Sequence, residues 1–137
     1  MLINGDKIVT GLTQAPANEF IFAGNLTAAT TTAVGGVLKL QNTTGVDLMV
    51  THMVVRITTK STGAATIDIG VDDGGDVSND TLIDGMNAEI VKAHSSLVGG
   101  GTNGGVAVWK KGEYIVATAS ATTAGMVGTY KIFAIAN

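Results

Sequence analysis

Apolar side chains in this chain recur at every second position, and that period constrains the fold more than any other feature. In Thr66-Ile67-Asp68-Ile69-Gly70-Val71, Ile67, Ile69 and Val71 share one face, and Thr66, Asp68 and Gly70 share the other. Successive Cβ atoms of a strand point to opposite sides, so this alternation marks a half-buried β-strand. Phe20 and Phe22 alternate with Glu19 and Ile21 in the same way, and Leu38 and Leu40 with Val37 and Lys39. Near the C-terminus, Tyr130, Ile132, Ala134 and Ala136 oppose Thr129, Lys131, Phe133 and Ile135. Both of those faces are largely apolar, which predicts a central or interface strand. The longest candidate, Val46 to Thr59, changes parity: Leu48 and Val50 set one face, whereas Met53, Val55 and Ile57 fall on the other. One extra residue near Thr51-His52, a β-bulge, returns both groups to one side.

Turn-forming residues separate these runs. Gly35-Gly36, Asn42-Thr43-Thr44-Gly45, Lys60-Ser61-Thr62-Gly63, Asp72 to Asp76 and Lys110-Lys111-Gly112-Glu113 supply positive φ or local side-chain bonding. The last lies between two strand-like runs, Val106–Trp109 and Tyr114–Ala119, which predicts a hairpin. One helical turn is expected at Asp80-Thr81-Leu82-Ile83-Asp84, capped by Asn79 or Asp80 and stopped at Gly85. About eight short strands with at most one short helical turn make an all-β chain. The expected architecture is a two-sheet β-sandwich with jelly-roll wrapping. A length of 137 residues suits one domain. We place that domain at 19–137 and an extended N-terminal arm, containing Gly5, Gly11 and Pro16, at 1–18.

Composition narrows the function classes. Cys is absent, which removes disulfides, Cys-ligated metals and thiol chemistry. Eight Lys+Arg against eleven Asp+Glu leave a net charge of −3, so nucleic acid is not an expected partner. Hydrophobic residues at 45% argue against disorder. The long uncharged stretch from Tyr114 to Tyr130 is Thr- and Gly-rich, unlike the roughly 20 mainly apolar residues of a spanning helix. The opening Met-Leu-Ile-Asn-Gly-Asp-Lys lacks the apolar run of a secretory signal. No membrane partner is expected.

Four groups of residues invite a chemical reading, each beside a plainer one. The loop Asp72-Asp73-Gly74-Gly75-Asp76-Val77-Ser78-Asn79-Asp80 concentrates hard oxygen ligands, and Asp72, Asp73 and Asp76 are the candidate calcium ligands. The plainer reading is a solvated turn whose Asp and Asn side chains bond their own backbone. No other cofactor is expected. Gly99-Gly100-Gly101-Thr102-Asn103-Gly104 matches the dinucleotide fingerprint by letter, but it leads into a strand, where that fingerprint needs a helix. A flexible loop ordered by a partner is expected there. His52 and His94 are the two histidines; His52 sits at the parity switch, and His94 reads as a loop residue beside Ser95-Ser96. A catalytic pairing with Asp68 or Ser95 is conceivable, yet the spacing does not call for it, and no enzyme is expected. Trp109, Tyr114 and Tyr130 are the rings on which a sugar would stack, and all three fall in strand-like runs where core packing is simpler.

What remains is a small sandwich rich in Ala, Gly, Thr and Val, which suits packing against copies of itself, because such side chains lose little entropy on burial. The Thr-Ala tracts Thr27–Val34 and Ala117–Met126 are the candidate surfaces. Three segments, Thr58 to Val71, Asp80 to Gly85 and Val108 to Ile115, resemble the small virion proteins of tailed bacteriophages, near the capsid decoration (cement) proteins. The resemblance covers roughly the C-terminal two-thirds. It implies a non-enzymatic protein, made in the host cytoplasm, that binds the major capsid protein on the outer shell surface, often as a homotrimer. It further implies an arm that reaches a neighbouring subunit, with Leu2, Ile3 and Ile8 as contact residues. The alternatives are a carbohydrate-binding or adhesin-like sandwich, or another virion component such as a tail or head-fibre subunit.

Overall fold

Nine strands form where the alternation runs, in a computed structural model that describes residues 18–137. They are β1 (Glu19–Asn25), β2 (Leu38–Gln41), β3 (Leu48–Thr59), β4 (Thr66–Asp72), β5 (Ile83–Asn87), β6 (Ala93–Ser95), β7 (Ala107–Trp109), β8 (Tyr114–Ala119) and β9 (Val127–Ala136). Every pairing is antiparallel, and the strands divide into two sheets. The five-stranded sheet runs β1-β9-β3-β6, with β7 paired to the first part of β3. The four-stranded sheet runs β2-β8-β4-β5. The chain is thus an all-β, two-sheet sandwich, with the core cluster drawn from both sheets.

The registers follow the alternation. Leu48, Val50, Met53, Val55 and Ile57 of β3 are fully buried, and the register against β9 shifts between Val50 and His52, leaving Thr51 as the bulge. That extra residue lets twelve residues of β3 keep one apolar face inward. The β9 strand lies between β1 and β3, and sends Ile132 and Ala134 into the core. Each fully buried Ile, Leu or Val contributes about 1.5–3 kcal/mol.

Two sequence expectations give way to tertiary structure. The helical turn expected at Asp80–Asp84 does not form: a bend at Thr81-Leu82 leads into β5, the Leu82 amide donates to Ile69 O (2.9 Å), and Ile83 pairs with Ile69. Both side chains are buried, and a strand entering the sandwich buries both Leu82 and Ile83. The predicted hairpin is also absent as a pair. Lys110–Glu113 does form a tight turn, with Gly112 at φ 86 and the Glu113 amide on Lys110 O (3.0 Å). Yet β7 joins β3 while β8 joins β2 and β4, so the turn carries the chain from one sheet to the other. Trp109, fully buried, holds that crossing: its Nε1 donates to Glu113 O and its carbonyl accepts from Asn42 Nδ2, both at 2.9 Å.

Candidate functional site

The two outer faces of the sandwich differ in cover and in charge. A segment of the loop after β4 lies over the outside of the four-stranded sheet. A Cβ on Gly70 would stand 2.7 Å from Asn79 C and Thr81 N, and one on Gly75 would stand 2.7 Å from Lys39 Cε and 2.9 Å from Tyr114 Cγ. Gly70 is therefore where the loop backbone touches the sheet. Val116, which faces away from the core cluster, is fully buried beneath this cover. Asp68, Asp72, Asp73, Asp76, Asp80 and Asp84 all belong to this side, so it carries most of the chain's carboxylates.

The outside of the five-stranded sheet has no such cover from the described residues. Cross-strand registers set its side chains in rows: Ile21–Phe133–His52, then Ala23–Lys131–Val54, then Asn25–Thr129–Arg56. Ile21 is 64% exposed. Between these rows runs an open groove of about 560 Å³, lined by Ala23, Asn25, Val54, Arg56, Lys131 and Phe133 among others. Among the described residues the single ion pair is Lys39 Nζ with Asp76 Oδ1 at 3.8 Å, so Arg56 and Lys131 have no carboxylate partner there.

The candidate calcium loop is built as a self-capped turn. Asp72 Oδ2 accepts from the amides of Asp76 (2.9 Å) and Val77 (3.2 Å). Desolvation works to raise the Asp72 carboxyl, but the amides of Asp76, Val77, Gly75 and Gly74 outweigh it and hold the group below its ordinary value. Asp73 and Asp76 are exposed beside Val77, itself 59% exposed. Among the described residues no three His, Cys, Asp or Glu side chains gather around one point as metal ligands. Leu2, Ile3, Ile8 and residues 1–17 of the arm lie outside the described residues.

The histidines part ways. His52 Nε2 and Ser95 Oγ are 3.1 Å apart, a pairing the sequence left without support. That oxygen also accepts from the Leu97 amide, and the His52 ring stacks on Phe133 at 5.4 Å and 15°. The arrangement ties β3, β6 and β9 together; among the described residues His52 has no carboxylate hydrogen-bond partner to orient it as a base. His94 is in β6, paired with Val55, instead of the expected loop. Its Nε2 is buried without a partner, and burial first, with the nearby Lys92 charge second, pushes its pKa below the ordinary value. The unfolded chain then protonates before the folded one as pH falls through about 6.5, so stability is lost below that point. His94→Gln is expected to flatten the fall in unfolding midpoint between neutral pH and pH 5; a slope unchanged from the parent would refute the assignment.

The rings and Gly-rich segment serve packing. Trp109 meets Phe22 edge-on at 5.0 Å, Tyr114 lies under Lys39 Nζ at 5.3 Å, and Tyr130 fits against Gly24. The Gly-rich loop is packed at both ends, where Gly100 bridges Ile83 and Gly105 lies against Ser96, while Thr102, Asn103 and Gly104 are exposed. The Thr-Ala tracts, the candidate surfaces for neighbours, clasp each other at one point. The Ala29 amide donates to buried Thr123 Oγ1 (2.7 Å), and the Thr123 amide returns to Ala29 O (2.9 Å). Thr30, Thr31, Thr32 and Ala33 stay exposed. The open groove was missed from sequence; the signal was the doubly apolar β9, whose outer residues Thr129, Lys131 and Phe133 run along its middle.

No protein-family model matches the sequence, and no curated protein matches it. The fold is similar to that of a chain in the acidic stable capsid structure of Helicobacter pylori bacteriophage KHP30. That likeness has a TM-score of 0.56 at 9% identity, covering 87% of this chain and 88% of the other.

Proposed function

We propose that this chain is a structural protein of a phage particle that binds the outer capsid surface and stabilises the shell. The observation that carries this reading is the sandwich shared, over nearly the whole chain, with a chain in a phage capsid structure. With β7 set aside, the wrapping β1-β9-β3-β6 over β2-β8-β4-β5 is what a jelly roll takes, an architecture that viral capsid domains use. The uncovered apolar face of the five-stranded sheet supports assembly, because exposed apolar faces of this kind mark interaction surfaces. The partner in this reading is the major capsid protein, met by a homo-oligomer, a trimer in the form we favour. Each oligomer touches several shell subunits, so modest contacts add through high effective concentration. The arm residues Leu2, Ile3 and Ile8 supply apolar contacts to a neighbour. Burial of Trp109 weighs against a glycan platform, since a sugar needs an accessible ring.

The test is the copy number of the chain relative to the major shell protein in purified particles, by quantitative mass spectrometry. The expected result is a simple whole-number ratio to the shell subunit. A handful of copies would move the protein to a tail or fibre, and absence from particles would overturn the virion reading.

A further inference from the structure

We propose that copies of this chain bind one another head to tail, the acidic loop of one seated in the cationic groove of the next. The groove on the five-stranded sheet is lined by apolar Ala23, Val54 and Phe133, with Lys131 between Ala23 and Val54 and Arg56 one row further along β3. The loop on the four-stranded sheet presents the inverse: exposed Val77 beside the exposed carboxylates of Asp73 and Asp76. Val77 meets the apolar lining, while the two carboxylates meet the guanidinium and the ammonium. Arg56 and Lys131 sit on adjacent strands one residue pair apart, Val54 opposite Lys131 and Arg56 opposite Thr129. Like charges so placed repel each other, and an incoming pair of carboxylates removes that repulsion.

Charge complementarity selects a second copy as the occupant. Glu19, at the opposite end of β1 from Asn25, is the carboxylate among the described residues of the groove face, whereas the loop face carries a run of six Asp from Asp68 to Asp84. Groove and loop are on opposite outer faces of one sandwich, so two copies related by a twofold axis cannot satisfy both. The contact is heterologous, and a second copy leaves a free groove and a free loop for the next. Lys39, 3.8 Å from Asp76 and well exposed, is a weak competitor for that carboxylate. The inference concerns contacts between copies and stands apart from the virion reading: copy number in particles tests that reading, and association of the purified chain tests this one.

The experiment pairs charge reversal with zero-length carbodiimide cross-linking of the full chain, using a mixture of light and isotope-labelled protein at low salt. The expected product joins Lys131 of one copy to Asp73 or Asp76 of another, and it fades as salt screens the contact. Arg56→Glu with Lys131→Glu, and separately Asp73→Lys with Asp76→Lys, are each expected to weaken self-association by roughly a hundredfold. All four positions are exposed or line an open groove, so the variants fold. Mixing the two variants restores association, since each groove then meets a loop of opposite charge. Variants that associate as the parent does, or a mixture that stays apart, would overturn the proposal. So would a Lys131 cross-link to Asp6, which assigns the groove to the N-terminal segment, or no cross-link between copies at all.

Discussion

Trp109→Ala is expected to lower the unfolding free energy by about 3–5 kcal/mol, the range for deleting a large buried ring. The ring has no exposed surface, meets Phe22 edge-on, and stands where the chain crosses from the five-stranded to the four-stranded sheet. The β7 strand that carries it has only three residues, too few to hold its place by ladder bonds alone. Its anchors are the Leu48 pairing and the bonds from Nε1 to Glu113 O and from Asn42 Nδ2 to Trp109 O. Trp109→Phe keeps most of the volume and loses only the N–H, and Glu113 O still accepts from the Asn42 amide (2.8 Å). That variant should cost about 1 kcal/mol for the bond, plus a small volume term. Urea unfolding followed by far-UV circular dichroism reads both values. For Ala, a midpoint temperature lower by more than roughly 10 °C is the matching thermal result. A loss below about 1 kcal/mol for Ala would mean that the ring does not bridge the sheets.

The same region shows how far the sequence could be read. Alternation placed the strands well, because a period of two is a local property that burial of one sheet face enforces. It located the Thr51 bulge for the same reason: a parity change inside one apolar run has no other cheap resolution. Pairing is another matter. Val106–Trp109 and Tyr114–Ala119 with a four-residue turn read as a hairpin, and nothing local tells that β7 will join β3. The preference arises from Trp109 and Asn42, residues 67 positions apart. Leu82 and Ile83 likewise follow a capping residue that suits a helical turn, yet both are buried and Ile83 is drawn into strand beside Ile69. Tertiary packing overrides local propensity at both places. The groove was hidden for a related reason. Arg56 and Lys131 are 75 positions apart, and only the β3–β9 register sets them side by side.

Gly105→Ala is expected to cost about 1–3 kcal/mol more than Gly104→Ala, through forced overpacking. Both glycines hold positive φ, 70 at Gly104 and 80 at Gly105, so both substitutions carry the left-handed strain of about 1–2 kcal/mol. They differ in surroundings. A Cβ at Gly104 would meet nothing within 4 Å, whereas one at Gly105 would fall on the carbonyl of Ser96. Ser96 cannot retreat, because its amide donates to Met53 O (2.8 Å) and its Oγ accepts from the Met53 amide (2.9 Å). Met53 is fully buried at the middle of β3, so displacing Ser96 moves the strand that pairs with β6, β7 and β9. Of the glycines that spell a phosphate-binding fingerprint by letter, Gly99 and Gly101 are also closely packed, against Ser95 O and Leu82, while Gly104 is exposed. Parallel urea titrations of the two variants measure the difference directly, since the shared strain cancels. Equal losses at the two positions would show that the loop stands off from β3, and would return the Gly-rich segment to the class of loops free to close on a partner.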